Sequence, residues 1–256
     1  MSKADSKYKS KKFFMKQGGN RKVALDLNLK GFLCSCNNRE KDCIREAYNL
    51  LNEYADKLYP AASRVEETEE VQDEDISESL TKEISDLKEE STPNKKRFQA
   101  IESGARNLLF IRTTVPNPAE LAEAIVKDVH ENGSQKTKFL LRLVPVETTC
   151  RASVADIGNA FVQLAEKHFQ DSAQTFNIMF NHRNNNVVSR DDVIKLIAEK
   201  ISAIRPDHKV DLKAAKLSVI VEVIKGFAFL SIVPDYLKYK KYNLLAICNQ
   251  EETTDS

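Results

Sequence analysis

The stretch NPAELAEAIVKDVHENG (Asn117–Gly133), followed by KFLLRLVPV (Lys138–Val146), decides how this chain folds. Asn117 caps a helix, Pro118 takes the first helical position where its missing N–H costs nothing, and Glu120 places negative charge at the positive end of the dipole. Leu121, Ile125 and Val129 recur at helical spacing, and Asn132-Gly133 ends the helix. The period then changes from 3.6 to 2, which predicts a strand over 138–146. Alternation puts Phe139, Leu141 and Leu143 on one face and Lys138 and Arg142 on the other.

Upstream, 97–103 and 108–113 read as two strands joined through Gly104-Ala105-Arg106-Asn107. Before them, Phe32, Cys34 and Cys36 alternate as in a short strand. A helix over 38–59 carries the stripe Ile44, Ala47, Leu51, Tyr54 and Leu58. The order strand, helix, strand, strand, helix, strand is the ferredoxin-like pattern, an α+β sandwich. It is interrupted at about 61–92, where twelve acidic residues face three basic ones; so few aliphatics there predict a mobile insertion.

Downstream a second unit follows. Ser153 with Asp156 opens a helix bearing Val154, Ile157, Phe161, Leu164 and Ala165. A strand over 175–180 aligns Phe176, Ile178 and Phe180, and 182–186 reads as a polar loop. Ser189 with Asp192 opens a helix carrying Val193, Ile197 and Ile201. Strands over 217–224 and 227–233 turn around Lys225-Gly226. The expected organisation is a basic flexible tail over 1–28, the ferredoxin-like unit over 29–148, the second unit over 149–247 and an acidic tail over 248–256.

The formal net charge of +1 conceals a polar distribution, because nine Lys/Arg and two Asp occupy the first thirty residues. A polyanionic partner is therefore compatible with the total. Five cysteines, an odd number, fit a reducing compartment rather than a disulfide framework. The charged N-terminus lacks an apolar signal region, and the most apolar stretch, 217–233, holds Glu222 and Lys225; no membrane association is expected. Phosphate-cradling glycine loops, H-E-x-x-H, C-x-x-C and G-x-S-x-G are all absent, which argues against an enzyme. Cys34, Cys36 and Cys43 lack a fourth neighbouring ligand, and a buried strand face explains the first two better than a metal does.

Three clusters suit phosphate. His182-Arg183-Asn184-Asn185 precedes the helix N-terminus at Ser189, with Arg190 beside it. Lys136, Lys138, Arg142 and Arg151 lie in and around one strand, which an exposed sheet face would explain equally well. Lys238, Lys240 and Lys241 interleave with Tyr236, Tyr239 and Tyr242; these tyrosines suit base stacking or, equally, anchoring in a core.

Read together, LCSC (33–36), CIREAYNLLNEY (43–54), RFQAIESG (97–104), LFIRT (109–113), LRLVP (141–145), RNN (183–185), KVDL (209–212), VIVEVIK (219–225) and KYNL (241–244) resemble the THUMP-domain adaptors of tRNA cytidine acetylation. The resemblance spans about 29–247. It implies a ferredoxin-like domain followed by a THUMP domain, a non-catalytic role and a tRNA partner of the serine and leucine acceptor classes. It further implies a separate RNA cytidine acetyltransferase that makes N4-acetylcytidine in the D arm. Acetyl-CoA and ATP would belong to that enzyme, with no cofactor or metal here. The RNA-facing residues it implies are Arg142, Arg183, Asn184, Asn185 and Lys225; charge alone adds Lys138, Arg190, Lys240 and Lys241. A nuclear or nucleolar location and a monomer outside the complex complete these expectations, and a general binder of structured RNA in ribosomal RNA maturation is the alternative.

Overall fold

The computed structural model describes residues 24–60 and 96–249, so the acidic insertion and most of both tails lie outside the described residues. The first unit runs β1 (Gly31–Cys36), α1 (Glu40–Leu58), β2 (Phe98–Ala105), β3 (Leu108–Thr113), α2 (Pro118–Asn132) and β4 (Leu140–Val146). Its sheet is antiparallel in the order β2-β3-β1-β4, the ferredoxin-like arrangement anticipated from the element order. α2 begins as its sequence dictates: the Asn117 side chain accepts from the Glu120 N–H, Pro118 sits in the first turn, and Gly133 closes the helix at φ 59°. In α1 the buried stripe is Cys43, Ala47, Leu50, Leu51, Tyr54 and Ala55, whereas Leu58 is exposed. The inward face is thus rotated slightly from the one expected, and Leu58 falls off its end.

The second unit comprises β5 (Thr148–Arg151), α3 (Val154–Phe169), β6 (Thr175–Arg183), α4 (Arg190–Ile204), β7 (Lys209–Val210), β8 (Leu217–Ile224) and β9 (Phe227–Pro234). Its sheet has the order β5-β9-β8-β6-β7, with β6 parallel to β7 and β8 and the remaining pairs antiparallel. Ser153 and Ser189 cap α3 and α4 by accepting from the Asp156 and Asp192 N–H groups. Both helices bury their stripes on one sheet face, against Phe176, Val219, Val221, Leu230 and Ile232.

The other face of this sheet packs on the first unit. Directly paired residues share a face, so Leu33, Phe110, Val144 and Arg142 lie on the side of the first sheet away from α1. Phe110, fully buried, meets Phe229 of β9 at a ring-centroid distance of 5.3 Å. Truncating an aromatic of this kind costs about 3–5 kcal/mol, so this contact ties the two sheets firmly. Beyond β9, Tyr236, Tyr239 and Tyr242 are buried, and with Leu244 and Ile247 of α5 (Leu244–Cys248) they join the core that β4 and α2 share. The tyrosines are core anchors. Their intervening lysines sit on a tight turn where Lys240, Lys241 and Tyr242 all have positive φ.

The structure departs from the residue pattern at three points. Arg183 and His182 belong to β6, because β8 pairs with that strand as far as Arg183↔Ile224; the loop begins at Asn184. Strand alternation does not reach Lys138, because the Glu46 carboxylate accepts from the N–H groups of Lys138, Phe139 and Leu140 and bends them into a turn. Lys138 and Arg142 therefore do not share a strand face. The face bearing Arg142 is not an open sheet surface either, since the second sheet covers most of it. Cys34, Cys36 and Cys43 are buried, and burial pushes all three thiols up, holding them protonated. Among the described residues no helix is long and apolar enough to cross a membrane.

Candidate nucleic-acid interface

Strand register builds the site. In β6 and β8 the pairs Asn181↔Glu222 and Arg183↔Ile224 place Asn181, Arg183 and Glu222 on the face turned toward the first sheet. Arg142, in β4, occupies the facing side of the first sheet, and β4 bridges there to Asn243. Asn181 donates its amide N–H to the Glu222 carboxylate at 2.7 Å. Burial pushes the Glu222 carboxyl up, while the Asn181 hydrogen bond and the fields of Arg183 and Arg142 oppose the shift. Two arginines from different sheets thus flank one acidic group in the crevice between them.

The loop beside them is fixed by its own backbone. Asn184 adopts φ 54°, a conformation Asn tolerates better than most residues, and its amide reaches the Gly104 carbonyl at 3.4 Å. Asn185 is consumed internally. Its amide donates to the Lys225 carbonyl at 2.7 Å, and its oxygen accepts from the Val187 and Val188 N–H groups at 3.0 Å each. Asn185 therefore organises the loop and the β8–β9 turn, and it presents its neighbours rather than its own amide. Lys225 sits at φ 52°, with its N–H donated to the Arg183 carbonyl at 3.0 Å. Its side chain lies over Gly104 (φ +84°), where an added Cβ would come within 2.9 Å of the lysine Cε and Nζ.

Arg142, Arg183, Arg190, Lys225, Lys240 and Lys241 are all exposed, and no described carboxylate lies within salt-bridge distance of any of them. Arg190 is the first residue of α4, where unsatisfied N–H groups and the helix dipole favour an anion. Lys240 and Lys241 precede Asn243, the bridge partner of Arg142. Lys138 stands apart, with its ammonium 5.5 Å from the Phe139 ring, on which the Arg39 guanidinium also stacks at 4.7 Å.

Three participants escape a reading of the sequence alone. Glu222 and Asn181 look like a polar interruption and a strand residue, and only the register reveals that they meet. Gly104 looks like part of a plain turn. The turn actually sits at Arg106-Asn107, after a bulge in β2, and Arg106 donates to the Asn38 side chain at 3.2 Å. A glycine in a predicted turn is the one local signal that could have pointed to the contact with Asn184 and Lys225.

The THUMP domain family matches residues 151–233, which run from the end of β5 through most of β9. A ferredoxin-like sheet carrying a THUMP domain, with basic groups converging where the two meet, defines the class. A Drosophila melanogaster protein named THUMP domain-containing protein 1 homolog is 36% identical over 247 residues, covering 89% of this chain and 76% of that protein. The human THUMP domain-containing protein 1 is likewise 36% identical, covering 86% of this chain and 64% of its own length. The chain belongs to the THUMP domain-containing protein 1 family. It spans just under two thirds of the human relative. A more distant Saccharomyces cerevisiae relative, 26% identical over 86% of this chain and 85% of its own, carries the name tRNA acetyltransferase TAN1.

Proposed function

We propose that this chain is a non-catalytic adaptor that binds tRNA and presents it to a separate cytidine acetyltransferase for N4-acetylcytidine formation. THUMP-domain proteins bind RNA, and the family membership supports that coarser statement for this chain. The observation that carries the finer reading is the convergence of Arg142 from the first sheet with Arg183 and Lys225 from the second, all exposed and without a carboxylate partner among the described residues. Guanidinium groups held on rigid strands grip phosphate by two parallel N–H···O bonds, and a site spanning two sheets fixes the orientation of its ligand as well as its affinity. Orientation is what an adaptor contributes, since the bond-making groups would reside on the enzyme. The name of the yeast relative supports acetylation as the pathway.

On this reading serine and leucine tRNAs are the substrates, the D arm carries the modified cytidine, and acetyl-CoA and ATP bind the enzyme alone. The chain works in the nucleus or nucleolus and is monomeric outside the complex. Mass spectrometry of tRNA from cells with and without the chain tests this. N4-acetylcytidine should vanish from tRNA on removal and return with the wild type, but not with an Arg142→Ala/Arg183→Ala variant. Loss confined to ribosomal RNA would replace the adaptor reading with a role in ribosome maturation. Acetyl-CoA turnover by the purified chain alone would replace it with an enzyme.

A further inference from the structure

We infer that the open edge formed by β6 and β7 docks the acetyltransferase, which adds an extended, acid-flanked segment of its own chain to the second sheet. This rests on the adaptor reading above and names the surface that reading leaves unassigned.

The edge is open for most of its length. β7 has two residues and pairs only with Thr175 and Phe176, whereas β6 continues to Arg183 with no described strand on that side. The carbonyls of Gln174 and Phe176 accept from Lys209 and Asp211 at 3.1 and 2.9 Å, so even-numbered residues of β6 turn their backbone outward. The Arg183 carbonyl, accepting from Lys225, marks the inward parity. Ile178, Phe180 and His182 therefore direct N–H and C=O groups off the sheet, and no strand among the described residues pairs with them. Such a row is a template for another strand unless it is blocked or used.

Side chains along this edge say what fits. Lone apolar residues on a surface are ordinary. Here, however, two of the three most exposed large apolar side chains among the described residues lie together at the β7 end of this edge. They are Val210 at 63% and Leu212 at 75% in the following turn; the third, Val187 at 88%, lies at the far end of β6 in the loop beside Arg183. Val210 in β7 and Leu212 in the turn after it lie at the same end of the open edge. Exposed Lys209 and Lys213 flank them without a described carboxylate partner, because the Asp211 carboxylate is occupied by the N–H groups of Lys213 and Ala214. An extended segment with aliphatic residues and Asp or Glu at its flanks complements this pattern. RNA complements it poorly, since the exposed side chains are aliphatic and offer no stacking platform. Phe176 and Arg183 are seven residues apart on one strand, about 23 Å. Enzyme contacts centred on Val210 and Leu212, beside Phe176, and RNA contacts at Arg183 thus lie toward opposite ends of β6.

The test uses the full chain, a purified cytidine acetyltransferase and unmodified tRNA. Val210→Asp/Leu212→Asp should weaken enzyme binding at least tenfold, leaving tRNA affinity and the melting temperature unchanged because both side chains are exposed. Lys209→Glu/Lys213→Glu, which spares the apolar contacts, should weaken binding and flatten its salt dependence. Wild-type binding matched by both variants overturns the docking edge alone, whereas a wild type that never binds the enzyme overturns the adaptor reading with it. Loss of tRNA binding by the Val210/Leu212 variant would make the edge an RNA surface. A wild-type dimer dissolved by the same variant would assign it to a second copy. Enzyme binding that appears only after deletion of 61–92 would assign it to the chain's own acidic segment.

Discussion

The outer face of α1 and α2 and the crevice between the sheets are both rich in charge, yet they treat it oppositely. Along the helices each of the cations Lys57, Lys127, Lys136 and Arg97 has an acid. Lys57 meets Glu53 at 2.8 Å, Lys127 meets Glu123 at 2.6 Å, Lys136 reaches Asp128 and Glu53 at 3.1 and 3.4 Å, and Arg97 pairs with Asp56. Tyr54 donates to Asp128, and its hydroxyl is pushed up to about 12 by burial and by that carboxylate. In the crevice Arg142, Arg183 and Lys225 have no described acid within salt-bridge distance, although Arg142 and Arg183 act on Glu222 through their fields. Exposed ion pairs contribute only about 0–1 kcal/mol, so paired charge on the helices says little about stability. What the contrast identifies is availability, since a phosphate can meet the crevice arginines without displacing a bonded partner. Count of charge does not separate the two regions; pairing does.

The largest effect is expected at the crevice arginines. Arg142→Ala/Arg183→Ala should lower tRNA affinity roughly 100-fold in a filter-binding titration, taking each charge-assisted contact as about 1.5 kcal/mol. The slope of log K against log salt should become shallower by up to ~0.9 for each lost phosphate contact. Melting should be unaltered, because both side chains are exposed. Neutralising Lys57 and Lys127 is the natural control, and an equal loss of affinity there would erase the distinction between the regions.

Glu46 supplies the reverse case, a charge whose role is folding. Glu46→Ala strands the N–H groups of Lys138, Phe139 and Leu140. It should cost about 2 kcal/mol by denaturant titration, water compensating for part of the loss at this half-exposed turn. tRNA affinity measured well below the transition should not change. A large affinity loss with unchanged stability would move the 138–140 turn, and Lys138 with it, into the interface.

Much of this fold is readable from residue patterns, and the exceptions have physical causes. The caps at Asn117, Ser153 and Ser189 mark their helices because each side chain satisfies an orphan N–H, a local requirement visible in one turn of sequence. β5 escapes notice because only Glu147 separates it from β4, and the nearest turn-forming residue, Pro145, lies within β4 itself. Glu147 makes that crossing by donating its N–H to the Leu230 carbonyl and accepting the Ile232 N–H with its carboxylate. β7 is two residues long and carries no period at all. At the site, composition locates the basic residues, but their meeting depends on register between β6 and β8 and on the packing of Phe110 against Phe229. Neither is encoded locally. Asn185 shows the same limit: its identity suggests RNA contact, whereas its bonds assign it to holding the loop.

Lys225 offers the finest discrimination, because its backbone and side chain make opposite demands. At φ 52° a β-carbon costs about 1–2 kcal/mol, a cost glycine would not incur. Its side chain lies across Gly104 at the junction of the two units, and its ammonium has no described acid partner. Lys225→Gly relieves the strain but loosens the unfolded chain by about 0.4–1 kcal/mol, so stability should hold or rise by up to about 1.5 kcal/mol. tRNA affinity should meanwhile fall a few-fold, with a salt slope shallower by up to ~0.9. Lys225→Asn, which also tolerates the left-handed region, should behave alike in affinity while avoiding the extra flexibility of two successive glycines in the β8–β9 turn. Should both variants bind tRNA as the wild type does, Lys225 serves the turn and its contact with Gly104, and the crevice arginines carry the interface without it.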